Sequence, residues 1–80
     1  MPSRERGPNG PARSLPVAIA TRIRMERARL RLTQEELAHR SGLSRVHIGA
    51  IERGEVSCSV TVLAQIAKAL QMSARDLLPE

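Results

Sequence analysis

The chain has 80 residues, with 13 Lys and Arg against 8 Asp and Glu, a formal net charge of +5, and no Phe, Trp or Tyr. That length allows one domain with a modest core of Leu, Ile, Val, Ala and Met, and the missing aromatics remove the platforms on which unpaired bases stack, which counts against single-strand or RNA-loop binding. Twelve of the 13 basic residues are arginine, a surface that favours polyanions, although charge alone does not separate nucleic acid from an anionic membrane or an acidic protein.

Residues 1–16 hold Pro2, Gly7, Pro8, Gly10, Pro11 and Pro16 together with Arg4, Arg6 and Arg13, and carry no apolar periodicity. They read as a flexible basic arm, either inert or able to enter a DNA minor groove. They also lack the apolar segment of a secretory signal, and the chain has no run of about 18 apolar residues, so a cytoplasmic location without membrane insertion is expected.

From Val17 the pattern turns helical, with Ile19, Ile23 and Leu30 on one face of a first helix. A second helix is predicted over about residues 34–41. Thr33 and Glu36 have the spacing of a capping box, Leu32 and Leu37 that of a hydrophobic staple, and Gly42 suits the left-handed turn after the last residue. Ser44 caps a third helix over about 45–53, closed by Gly54. Two helices joined through so short a glycine turn cross steeply, which is helix-turn-helix geometry. Ser59 starts a fourth helix with Val60, Leu63, Ile66, Ala67 and Leu70 inward; Ser73 and Asp76 start a short fifth one that Pro79 ends. The expected fold is therefore all-α, a five-helix domain over 17–78 behind an arm of 1–16.

The third helix carries the chemistry. Ile48 and Ile51 mark its inner face, and Val46, Ala50 and Arg53 point oppositely, flanked by His47 and Gly49 with Arg45 in the first turn. An ordinary solvated face would carry Glu, Lys or Gln; Gly49 and Ala50 instead permit close approach to a major-groove floor. Arg45 can offer two parallel donors to a guanine, Val46 can meet a thymine methyl, and His47 can donate to a base or a phosphate. Gln34, in the first turn of the second helix, is placed to hold a phosphate that fixes register, with plain surface roles the alternative for it and for Arg45. Thr33, Ser44, Arg24 and Arg53 are further candidates for phosphate contact. Arg27 and Glu52 fall on apolar stripes, so each needs a partner, and they are expected to pair with each other and set the angle between the first and third helices.

The runs Thr33-Gln34-Glu35-Glu36-Leu37-Ala38, Ser41-Gly42-Leu43-Ser44-Arg45 and Ile51-Glu52-Arg53-Gly54 resemble the Cro/phage-repressor (xenobiotic-response-element) family of helix-turn-helix proteins over residues 17–78. The resemblance implies a five-helix DNA-binding domain, contact of Gln34 with phosphate or base, base contacts by Arg45, Val46, His47 and Ala50, and a buried arginine–glutamate bridge at Arg27 and Glu52. Residues 41–59 are similar in particular to controller proteins of restriction–modification systems, short dimers that regulate their own operon. Cys58 departs from the family, which often has proline or an aliphatic residue there.

Cys58 is the single cysteine, and with His39 and His47 it lacks zinc-ligand spacing, so neither metal nor intrachain disulfide is expected. It reads as a small filler, a redox role requiring an exposed thiol in an electropositive setting. No nucleophile–base pair or cofactor loop is recognisable, so neither an enzyme nor a cofactor or small-molecule ligand is inferred. The expected partners are double-stranded DNA and a second copy, dimerising through Val62, Ile66, Met72, Leu77 and Leu78, because a monomer reading one half-site gains little over genomic competitors. The alternative is an antitoxin-like or accessory module that turns the third helix to a protein.

Overall fold

The computed structural model describes residues 15–79. They form four α-helices, α1 (Leu15–Arg29), α2 (Gln34–Ser41), α3 (Arg45–Glu52) and α4 (Val60–Ala69), followed by a 3₁₀ turn at Ala74–Leu77. The all-α expectation holds among these residues, but the predicted fifth α-helix is only that turn. Leu78 precedes Pro79 and is extended (φ −87°, ψ 145°), as the proline ring demands of its neighbour, and this leaves too few residues after Ser73 for an α-helix.

The first helix begins earlier than the sequence suggests. Pro16, read as part of the arm, lies inside the first turn of α1, where its missing N–H has no helical acceptor to lose. The rest of the predicted arm, residues 1–14, lies outside the described residues. The caps of the next two helices form as expected. The Thr33 hydroxyl accepts from the Glu36 amide at 3.0 Å, the Glu36 carboxylate accepts from the Thr33 amide at 2.8 Å, and the Ser44 hydroxyl accepts from the His47 amide at 3.0 Å.

All four helices end in the same paired turn, in which a left-handed residue lets two amides return to the last carbonyls. The left-handed residues are Gly42 (φ 77°) and Gly54 (φ 72°) after α2 and α3, and Arg31 (φ 58°) and Gln71 (φ 64°) after α1 and α4. The paired bonds are Leu32 and Arg31 to the carbonyls of Arg27 and Ala28, Leu43 and Gly42 to those of Ala38 and His39, Glu55 and Gly54 to those of Ala50 and Ile51, and Met72 and Gln71 to those of Ala67 and Lys68. A left-handed side-chain residue costs roughly 1–2 kcal/mol, so at Arg31 and Gln71 tertiary packing overrides local preference.

One core joins the elements. Ile19 and Ile23 from α1, Leu37 from α2, Ile48 and Ile51 from α3, Leu63, Ile66 and Ala67 from α4, and then Leu70 and Leu77 are buried together. The side-chain amide of Gln65 donates to the Ser41 carbonyl at 3.2 Å and ties α4 to the end of α2. Two of the expected dimer contacts are corrected by this packing. Ile66 and Leu77 are 0% and 1% exposed, spent on the chain's own core, and offer no surface to a second copy. Val62 and Met72 are half-buried and Leu78 is exposed. Cys58 packs half-buried against the core, and burial pushes its thiol pKa up, away from a reactive thiolate.

Candidate nucleic-acid interface

The site is built on α2 and α3, which meet across the tight turn at Gly42 and Leu43. Ile48 and Ile51 fix the inner face of α3 in the core, which turns Val46 outward to 74% exposure. Arg45 is exposed in the first turn and makes no hydrogen bond or ion pair among the described residues, so its guanidinium is free for a ligand. His47 and Ala50 are half-buried on the flanks of this face, and Ser44 and Thr33 stand exposed at the two helix starts. An α-helix leaves its first amides without internal acceptors; the caps use those of Glu36 and His47, and those of Gln34, Glu35, Arg45 and Val46 remain for an anion.

Glu52 holds this arrangement in place. Its side chain is 2% exposed and accepts from Arg27 Nε at 2.7 Å and Nη2 at 3.0 Å, the predicted bidentate pair. Arg27 also donates from Nη1 to the Leu32 carbonyl at 2.8 Å, bracing the α1–α2 connection. A third donor was not foreseen: Gln34 Nε2 lies 3.0 Å from Glu52 Oε1. One buried carboxylate thus links α1, the start of α2 and the end of α3.

Several candidates for phosphate contact are therefore already engaged. Gln34 has one amide hydrogen on Glu52, leaving its oxygen and second hydrogen. Arg24 donates from Nη1 to the Glu52 carbonyl and from Nη2 to the Thr21 hydroxyl at 3.3 Å, so it caps the end of α3. Arg53 follows the last turn of α3 and forks onto Glu55, with Nε at 2.8 Å and Nη2 at 3.1 Å from its carboxylate oxygens. Each partner stabilises the charge of the other: the hydrogen bonds lower the Glu55 pKa and raise that of Arg53. Bonds from the Thr33 amide and hydroxyl likewise lower the Glu36 pKa.

Gly49 has a different reason from the one its sequence context suggests. It is buried, and a Cβ there would lie 3.1 Å from Arg53 Nη1, so the glycine makes room for that guanidinium to lie along α3. No sequence signal marked Gln34 as a partner of Glu52. The Arg53-Gly54-Glu55 order did carry a signal, opposite charges flanking a left-handed glycine that folds the chain back. Among the described residues no His, Cys, Asp and Glu side chains cluster as a metal site, and no helix is long and apolar enough to cross a membrane.

A short capped helix joined by a left-handed glycine turn to a second capped helix, whose first turn exposes an arginine and a valine, has the form of the helix-turn-helix class. A helix-turn-helix family model matches residues 23–77. The chain belongs to that family, in its Cro/phage-repressor (xenobiotic-response-element) branch of DNA-binding transcription regulators. It is 42% identical over 60 residues to the control protein C.SmaI of Serratia marcescens, covering 75% of this chain and 71% of that one. It is 44% identical over 55 residues to an HTH-type transcriptional regulator of Mycobacterium tuberculosis, covering 69% of this chain but only 39% of that longer protein. The crystal structure of the restriction–modification controller protein C.AhdI from Aeromonas hydrophila superposes with a TM-score of 0.75 at 37% identity, over 78% of this chain and 94% of that one.

Proposed function

We propose that this chain is a cytoplasmic transcription regulator that lays α3 in the major groove of double-stranded DNA and reads base edges with Arg45, Val46, His47 and Ala50. The observation that carries the reading is the outer face of α3. It leaves an arginine unpaired and a valine 74% exposed in the first turn, beside amides that no helical carbonyl can satisfy. A bidentate arginine and an apolar contact are the two means by which a major groove distinguishes guanine and thymine. Thr33, Ser44 and the free hydrogen of Gln34 set register on the phosphates, and Arg53 adds a contact at the far end of the helix.

The protein acts as a two-fold dimer on a palindromic operator, with half-sites about 34 Å apart. Val62, Met72 and Leu78 contribute the apolar contact. Similarity to the control protein of Serratia marcescens and to C.AhdI supports a controller-like regulator of its own operon.

Selecting bound duplexes from a random library and measuring binding by fluorescence anisotropy tests the whole reading. One palindrome is preferred over random duplex by about a thousandfold or more, and affinity falls steeply with salt. Arg45→Ala costs about 1–3 kcal/mol at one base pair and relaxes specificity there. Equal loss on every sequence makes Arg45 a phosphate contact, and a flat salt response removes DNA as the partner.

A further inference from the structure

Of the two guanidinium edges with which Arg53 can grip a phosphate, Nε–Nη2 and Nη1–Nη2, the first is occupied and the second has its Nη1 lying against Gly49. Phosphate recognition by arginine uses two parallel N–H groups, and in this protein Nε and Nη2 are both on the Glu55 carboxylate, at 2.8 and 3.1 Å. The backbone builds this fork: Gly54 at φ 72° turns the chain back after α3, and the Glu55 amide bonds to the Ala50 carbonyl at 3.1 Å. Buried Gly49 lets the guanidinium lie along the helix. The two side chains are 59% and 55% exposed, so the pair can open without uncovering any core. We propose that Glu55 is a built-in competitor for the DNA backbone, holding Arg53 in the free protein and giving it up only when a phosphate takes the same two donors.

The exchange replaces one anion by another on Arg53, so this contact adds less to affinity than an unpaired arginine does and releases a carboxylate beside the DNA. It lowers binding to every duplex alike and leaves base reading untouched. Discrimination then rests on Arg45 and its neighbours, with less non-specific retention. The inference rests on the reading of α3 as the DNA-facing helix.

The test is a double-mutant cycle on the full chain, using Glu55→Gln and Arg53→Met singly and together, with anisotropy against the selected operator and a random duplex over a salt series. Removing a negative charge near DNA strengthens binding in any background, so the quantity read is the difference between backgrounds. Glu55→Gln is expected to gain about two- to fivefold on both duplexes when Arg53 is present, and clearly less with Arg53→Met. The plot of log affinity against log salt steepens more when Arg53 is present, by up to about 0.9. In the DNA-free protein the Arg53 Nε–H resonance shifts with Glu55→Gln. Equal gains in the two backgrounds, or an unmoved resonance, overturn the proposal while leaving DNA binding intact. Failure of the unaltered chain to bind any duplex at low salt overturns the DNA reading and this proposal with it.

Discussion

Removing one partner of the Arg27–Glu52 pair has unequal consequences depending on which partner is removed. Glu52 is 2% exposed and receives three side-chain donors, two of them from Arg27; Arg27 is 22% exposed and keeps the Leu32 carbonyl at 2.8 Å. Arg27→Met strands a buried carboxylate with one neutral donor, which costs about 3–5 kcal/mol. Glu52→Gln keeps size and shape and leaves an arginine that can reach water, costing about 1–2 kcal/mol. At roughly 4–8 °C per kcal/mol for a domain of this size, the first variant melts at least ~12 °C lower, readable by circular dichroism at 222 nm. Arg27→Met combined with Glu52→Leu removes both charges and returns to within about 1 kcal/mol of the original stability. That double variant still binds DNA poorly, because Gln34 has lost its acceptor and α3 its angular restraint. An Arg27→Met loss below about 1 kcal/mol, or one smaller than the Glu52→Gln loss, refutes the assignment of Glu52 as a buried, arginine-dependent charge.

Two glycines separate backbone need from space. Gly54→Ala forces a side chain into φ 72° with its Cβ 3.3 Å from the Val17 Cα, costing about 2 kcal/mol or more in urea unfolding, whereas Gly49→Ala displaces only the Arg53 tip and gains up to about 1 kcal/mol of helix preference. Equal effects at the two sites would undo that distinction. The carboxyl pKa values of Glu26, Glu36, Glu55 and Asp76 are all lowered, chiefly by hydrogen bonds from Arg29, Thr33, Arg53 and Ser73 respectively. Groups lowered on folding stabilise the native state fully above their unfolded pKa and stop doing so as pH falls through the lower folded value. The melting temperature is therefore level from neutral down to about pH 5 and drops below it. Thr33→Ala lowers stability at neutral pH by about 1 kcal/mol through the lost hydroxyl acceptor but keeps the backbone amide that chiefly lowers the Glu36 pKa, so the gap to the original protein changes little with pH; a gap that closes at acid pH would contradict this division of the capping box.

The parts of the fold that were legible in the sequence are those set by local chemistry. Thr33 with Glu36, Ser44, and the glycines at 42 and 54 fixed α2, α3 and the turn between them, because caps and left-handed residues act within one turn of the chain. Pro16 misled because proline breaks a helix interior yet suits its first turn, and neighbouring residues do not say which applies. Arg31 and Gln71 hid two helix ends, since nothing local marks a side-chain residue that packing has forced left-handed. Ile66 and Leu77 were assigned to a second copy because an apolar residue looks the same whether it serves its own core or an interface.

The Arg27–Glu52 pair was legible for a different reason: a charge on an apolar stripe states a requirement, and only one opposite charge stood in a comparable place. The third member could not be found that way. Gln34 is polar on a polar turn and makes no demand, so its bond to Glu52 emerges only from the three-dimensional arrangement of α1, α2 and α3. That bond changes what the pair is for. A bidentate bridge alone would set the angle of α3 on α1, whereas a carboxylate shared with Gln34 also orients the first turn of α2 on the same atom. The helix proposed to read DNA and the residue proposed to set its register are then positioned by one buried group, and an error in either is transmitted to the other.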